Sequence, residues 1–310
     1  MKTAFHGVRQ LMRRTLVLSI VAVCLGLTPM WAQFGGRENE VVLYTVSVKG
    51  NPNPVIVPAN TVNTQSGFQV KDPLKELIEP FGPDFAGEFF VTLHSEPSDN
   101  FRFIIQKEGI VTEHNTFQGP AKLMIIQGLD RLLIPGKDPI DLTAGLFAPF
   151  PQGIDFGPEL PLIEANSFMW TPSPIFPLLR LADPSFISPI VPAGFTGSEY
   201  VLQLGQFAAL VPWLGFNDLY GAGWPQGIDQ RLLETDTALG SSVRMIRLRA
   251  GRQTPPFVIR ANTHLAVLQG SVQIRPTNGA SVTLTPKMYA FIPNGFAVTL
   301  ANPVSYSGPK

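Results

Sequence analysis

The chain has 310 residues, 45% of them hydrophobic and only 15% charged, with 28 Gly, 30 Pro and a mean hydropathy of +0.15. It is too apolar for a disordered chain and too rich in Pro and Gly for a helical one. Lys+Arg and Asp+Glu balance at 23 each, which leaves no basic footprint for nucleic acid or for an anionic membrane surface.

In chain order, Lys2, Arg9, Arg13 and Arg14 precede an apolar run from Leu16 to Leu27 that breaks at Thr28-Pro29. A basic start, a short apolar stretch and a small residue at Ala32 predict a secretory leader over residues 1–32. The run is too short to span a bilayer, which takes about 20 apolar residues. Its removal leaves 19 basic against 23 acidic residues and takes away Cys24, the sole cysteine. The expected product is periplasmic or secreted, without a membrane span, a disulfide or a thiolate.

Short β-branched and aromatic runs bounded by Gly, Pro and Asn follow at 41–48, 88–93, 101–106, 123–127, 201–204, 243–248, 265–268, 271–274, 281–284 and 297–300. That pattern predicts an all-β sandwich or barrel fold. One short helix is expected over 72–78, with Asp72 as its cap and Pro73 in its first turn. Dense prolines from Pro135 to about Pro192 predict irregular coverage between two halves.

Sliding the chain on itself by 142 residues aligns Arg102–Pro161 with Arg244–Pro303 at 13 identities without a gap. Arg102/Arg244, Gly109/Gly251, Leu123/Leu265, Gly128/Gly270, Ala148/Ala290 and Pro161/Pro303 are among them. A duplicated β-unit is the reading. The expected division is a leader over 1–32, a first barrel over 33–160, a Pro-rich connecting segment over 161–220 and a second barrel over 221–310.

The second unit keeps a recognisable spacing. Gly251 is followed by Phe257-Val258-Ile259, Thr263 and Gly270, and Lys287 by Pro293-Asn294-Gly295, Val298 and Asn302. This resembles the two motifs of the cupin superfamily, and implies two jelly-roll barrels in tandem. The resemblance places the family's three His and one Glu metal ligands at Phe257, Ile259, Thr263 and Val298. In the first unit the same positions fall on Asn115, Phe117, Ala121 and Phe156. None but Thr263 and Asn115 has a lone pair, and neither replaces imidazole or carboxylate. The barrels are therefore expected to be metal-free, with no cofactor. His264, one residue past Thr263, should point to the opposite face of its strand.

No HExxH, CxxC, GxSxG, P-loop or GxGxxG sequence occurs. The arginines at 244, 247, 249 and 252 predict a solvated strand face. Trp213, Tyr220 and Trp224 are candidates for stacking on a ligand, or alternatively for plugging a barrel end. Two functions follow. The first is an exported non-catalytic cupin-like module, ligand-binding or structural. The second is a metal-independent isomerase or epimerase acting through His264 and Tyr289. The expected partners are a small molecule or carbohydrate and, as an open alternative, a second copy of the chain.

Overall fold

The computed structural model describes residues 34–81, 87–111, 115–116, 119–132, 139–150, 152, 155–156, 159–172, 179–180 and 206–304. The leader 1–32, Phe117, His114 and the expected strand 201–204 lie outside the described residues.

The first half holds β1 (Val41–Ile56), β2 (Gln69–Lys71), helix α1 (Pro73–Phe81), β3 (Glu88–Glu96), β4 (Asp99–Gln106), β5 (Asn115–Thr116) and β6 (Ala121–Leu132). There follow β7 (Ile140–Thr143), β8 (Leu146–Phe150), β9 (Asp155–Phe156), β10 (Glu159–Thr171) and β11 (Leu179–Arg180). The rest is β12 (Gln206–Phe207), β13 (Leu214–Gly215), helix α2 (Phe216–Tyr220), β14 (Ile228–Asp236), β15 (Ser241–Leu248) and β16 (Phe257–Gln269), then β17 (Val272–Pro276), β18 (Val282–Leu284), β19 (Tyr289–Ile292) and β20 (Val298–Ala301). Helix α1 starts as expected, Asp72 Oδ1 accepting the Lys75 backbone N–H at 3.2 Å.

The fold is all-β. A ten-stranded antiparallel sheet runs β13-β14-β15-β1-β16-β20-β17-β18, with β19 joining β16 to β2, and a seven-stranded sheet runs β12-β8-β6-β10-β4-β3, with β7 on β6. A third, small sheet, β11-β5-β9, belongs to the first unit.

The tandem repeat is written into the pairing. In the first unit Leu123 pairs with Ala148, Leu132 with Ile140 and Asn115 with Phe156. In the second, Leu265 pairs with Ala290, Ile274 with Val282 and Phe257 with Val298, each residue 142 positions on. The shared glycines have a common cause. Gly128 (φ +85°) and Gly270 (φ +71°) both sit where a Cβ would strike a carbonyl, at 2.0 Å from Glu164 O and 2.6 Å from Glu40 O respectively.

Side-chain parity splits the core into layers. On β1, Val42, Tyr44, Val46 and Val48 face a cluster that also takes Phe101, Phe103 and Ile105 of β4 and Phe168 and Trp170 of β10, so the two large sheets pack face to face. Val41 and Leu43 face a second cluster inside the larger unit, and Ile104 and Leu123 a third inside the smaller one. Val41–Val48 of β1 is buried on both sides and reads as a near-continuous apolar run; β4 is buried throughout although half of its residues are polar. Lys122 of β6, 3% exposed, crosses between the sheets to Glu234 (2.6 Å) and Asp236 (3.3 Å) of β14.

The expected unit boundaries need correction at both ends. β1 lies in the larger sheet, between β15 and β16, although it opens the described chain. Its place matches that of β10, which lies between β4 and β6 in the smaller sheet. Residues 161–171 are therefore part of a central strand, not a connection. Pro161 is tolerated there because it stands at a register shift, where the ladder to β6 is interrupted.

Candidate functional site

The positions that the cupin spacing assigns to metal ligands are filled. Phe257, Ile259 and Val298 are 2%, 7% and 1% exposed and lie in the core cluster of the larger unit. Thr263 is buried, and its hydroxyl is engaged with Ser47 Oγ at 3.0 Å and the Ala261 carbonyl. Three of the four side chains have no donor atom, and the fourth already has its partners. This donor set does not fit a metal ion. In the first unit Ala121 is buried in the smaller unit's core, and Asn115 and Phe156 are register partners of β5 and β9.

The aromatic candidates all pack against side chains of their own chain. Trp224 is 3% exposed and packs against Phe216 (5.0 Å between ring centroids) and Phe257 (5.5 Å). Tyr220 is half-buried; its hydroxyl accepts from Arg244 and bonds Gln230 at 2.9 Å. The Trp213 ring is already covered by two cations, with the Arg231 and Arg247 guanidinium carbons 4.1 and 4.6 Å from its centroid, and its Nε1 donates to Gly35 O. Arg244 and Arg247 also depart from the expected solvated face. Arg244 is buried on Pro52 O, Asn53 and Ser242, and Arg247 is paired with Asp229 at 2.6 Å; Arg249 and Arg252 are exposed.

His264 leaves the barrel face, as strand parity requires, but it does not reach solvent. It enters the core between the two sheets, 0% exposed, where its Nδ1 lies 2.7 Å from Tyr289 Oη and its Nε2 2.6 Å from Asp99 Oδ1. Asp99 Oδ1 also accepts from Trp170 Nε1 at 2.9 Å. With Nε2–H donating to the carboxylate, a neutral ring leaves Nδ1 to accept the tyrosine proton. Burial drives the Asp99 carboxyl up, but its hydrogen bonds to His264 and Trp170 outweigh it and hold the group below its ordinary range. Burial, then the Asp99 charge, push the Tyr289 hydroxyl well above its own. His94 completes the group, stacked on Phe291 at 4.1 Å and edge-on to His264 at 5.2 Å; burial and then His264 lower its pKa.

A second polar group stands at the opposite end of β4. Gln106 Nε2 donates to Glu88 Oε1 (3.0 Å) and to Glu159 Oε2 (2.9 Å), with Asp130 two residues before Leu132, the register partner of Glu159. Burial, then the Asp130 charge, push the Glu159 carboxyl well up; burial also raises Asp130 and Glu88.

Sequence reasoning found His264 and Tyr289 but not Asp99, His94 or Trp170, which come from the other unit. The available signal was a charge standing at a core-facing position of an apolar strand, Asp99 two before Phe101.

The sequence matches no protein-family model and no curated protein. Among solved structures it is similar to a cupin 2 conserved barrel domain protein from Leptotrichia buccalis, at 10% identity and a TM-score of 0.43 over 76% of this chain and 91% of that one. A variant of oxalate decarboxylase from Bacillus subtilis gives 13% and 0.47 over 79% and 76%, and the protein Ylba from E. coli 12% and 0.44 over 76% and 86%. At these identities and scores the likeness carries no argument; the strand pairings by themselves establish an all-β fold with two β-units in tandem.

Proposed function

We propose that this is an exported, non-catalytic cupin-like protein, a ligand-binding or structural module whose barrels hold no metal. The observation that carries the reading is the Phe257–Val298 pair, joined by Ile259 inside the closed core of the larger unit where the family's ligands would stand. A site repacked to the density of a core has lost both the donors and the space that chemistry needs. Export rests on the basic and apolar leader over 1–32.

One observation favours the alternative, a metal-independent isomerase: His264 and Tyr289 do touch, at 2.7 Å. Both are 0% exposed, however, so neither offers an acid or a base to a substrate from this packing.

The test is Ile259→Ala. A filled core loses about 2–4 kcal/mol of unfolding free energy, because the deleted methyl groups leave a cavity. A loss below about 1 kcal/mol would show that Ile259 lines open space, and would refute the reading.

A further inference from the structure

The tip of the β3–β4 hairpin gathers His94, Glu96 and Asp99, one ligand atom from each lying within 4.8 Å of the others. Both carboxylates are half used. Asp99 Oδ1 is held by His264 and Trp170, whereas its Oδ2 is buried with no partner. Glu96 Oε2 lies 3.7 Å from Lys49 Nζ, whereas its Oε1 is turned to His94 Nε2 at 3.5 Å, too far for a hydrogen bond. His94 Nε2 is also buried and unpartnered, on a side chain only 7% exposed. Two orphaned polar atoms aimed at one point, in a core otherwise closely packed, mark the place of a missing partner.

We propose that His94, Glu96 and Asp99 form a site for a divalent transition-metal cation of the zinc type, between the two units and separate from the repacked barrels. One imidazole and two carboxylates suit zinc, whereas calcium asks for six or more oxygens. Glu96, whose side chain is 44% exposed, gives the cation a way in and leaves room for water as a fourth ligand. The support around the ligands is built: His264 and Trp170 fix the Asp99 carboxylate, and Phe291 fixes the His94 ring. Lys49, 43% exposed, can swing out as the cation enters. Bound there, the metal would pin the hairpin of the smaller sheet to the buried network of the larger one.

The experiment is titration of the full chain with Zn²⁺ against a chromophoric chelator, in wild type, Glu96→Gln and His94→Gln. One equivalent is expected in wild type, with affinity weakened at least about tenfold by Glu96→Gln and lost in His94→Gln. Excess Ca²⁺ should not displace it. Glu96 is exposed, so its variant keeps the test valid if His94→Gln does not fold by circular dichroism. No zinc uptake by wild type would overturn the site and leave water as the bridge. Uptake at unchanged affinity in the variants would overturn it too, since the metal would then be held by other residues.

Discussion

Asp99 on β4 accepts a 2.6 Å hydrogen bond from His264 on β16, so a single carboxylate oxygen joins the two large sheets. It also takes the indole proton of Trp170. Asp99→Ala strands both N–H groups in the buried core. Each orphaned donor costs about 1–3 kcal/mol, so urea unfolding of the variant in chelator-treated buffer should show a loss of about 2–6 kcal/mol. A change under about 1 kcal/mol would mean that the network does not hold the sheets together.

Gly128 and Gly109 separate conformation from crowding. Both have positive φ, +85° and +78°, but a Cβ at Gly128 would lie 2.0 Å from a carbonyl oxygen whereas one at Gly109 meets nothing within 4 Å. Gly109→Ala should cost about 1–2 kcal/mol, the left-handed penalty alone. Gly128→Ala should cost clearly more, and Gly270→Ala should follow it, by thermal unfolding. Equal losses at 109 and 128 would remove the steric part of the explanation.

Glu159 bears on pH. Its carboxyl is pushed well above the ordinary range by burial and then by Asp130. The folded protein therefore keeps a proton that the unfolded chain gives up near pH 4.3, and binds more protons than the unfolded state between those two values. Stability must fall as pH rises from about 4 through the raised value. Glu159→Gln, neutral at every pH, should flatten that fall and be the more stable protein at pH 7. Melting curves of both proteins from about pH 4 to 8 test this; parallel curves would show that Glu159 ionises normally.

Lys122 should matter through the partners it would abandon. Lys122→Ala leaves Glu234 and Asp236, 21% and 25% exposed, without their cation, and should cost about 1–3 kcal/mol, less than a fully buried pair because water reaches both carboxylates. Removing all three charges together should restore much of that loss, which a mutant cycle in guanidinium would measure.

The sequence made some of this legible for definite reasons. Gly128, Gly270 and the Pro and Gly around them mark turns that backbone geometry dictates, so the repeat and the barrel spacing could be read. The short strands declared themselves by β-branched runs, and Asp72-Pro73 declared the helix start. What stayed hidden depended on long-range pairing. Nothing local in Val41–Ile56 says that it belongs between β15 and β16, and Pro161 argued against the central strand in which it sits. His264 was placed on the correct face, but that this face is sealed by Asp99 and Trp170 depends on how two sheets pack.

The location of β1 sets a schedule for the nascent chain. Val41 waits for Leu248, and Val42 for Gln269, so an apolar strand has no seat until β15 and β16, far later in the chain, have been synthesised. The strands β3 to β10 of the smaller sheet lie together in sequence, between Glu88 and Thr171, and can close while synthesis continues. Until β15 emerges, Val41–Val48 is an unpaired, aggregation-prone ribbon, and the growing chain depends on whatever shields it in that interval.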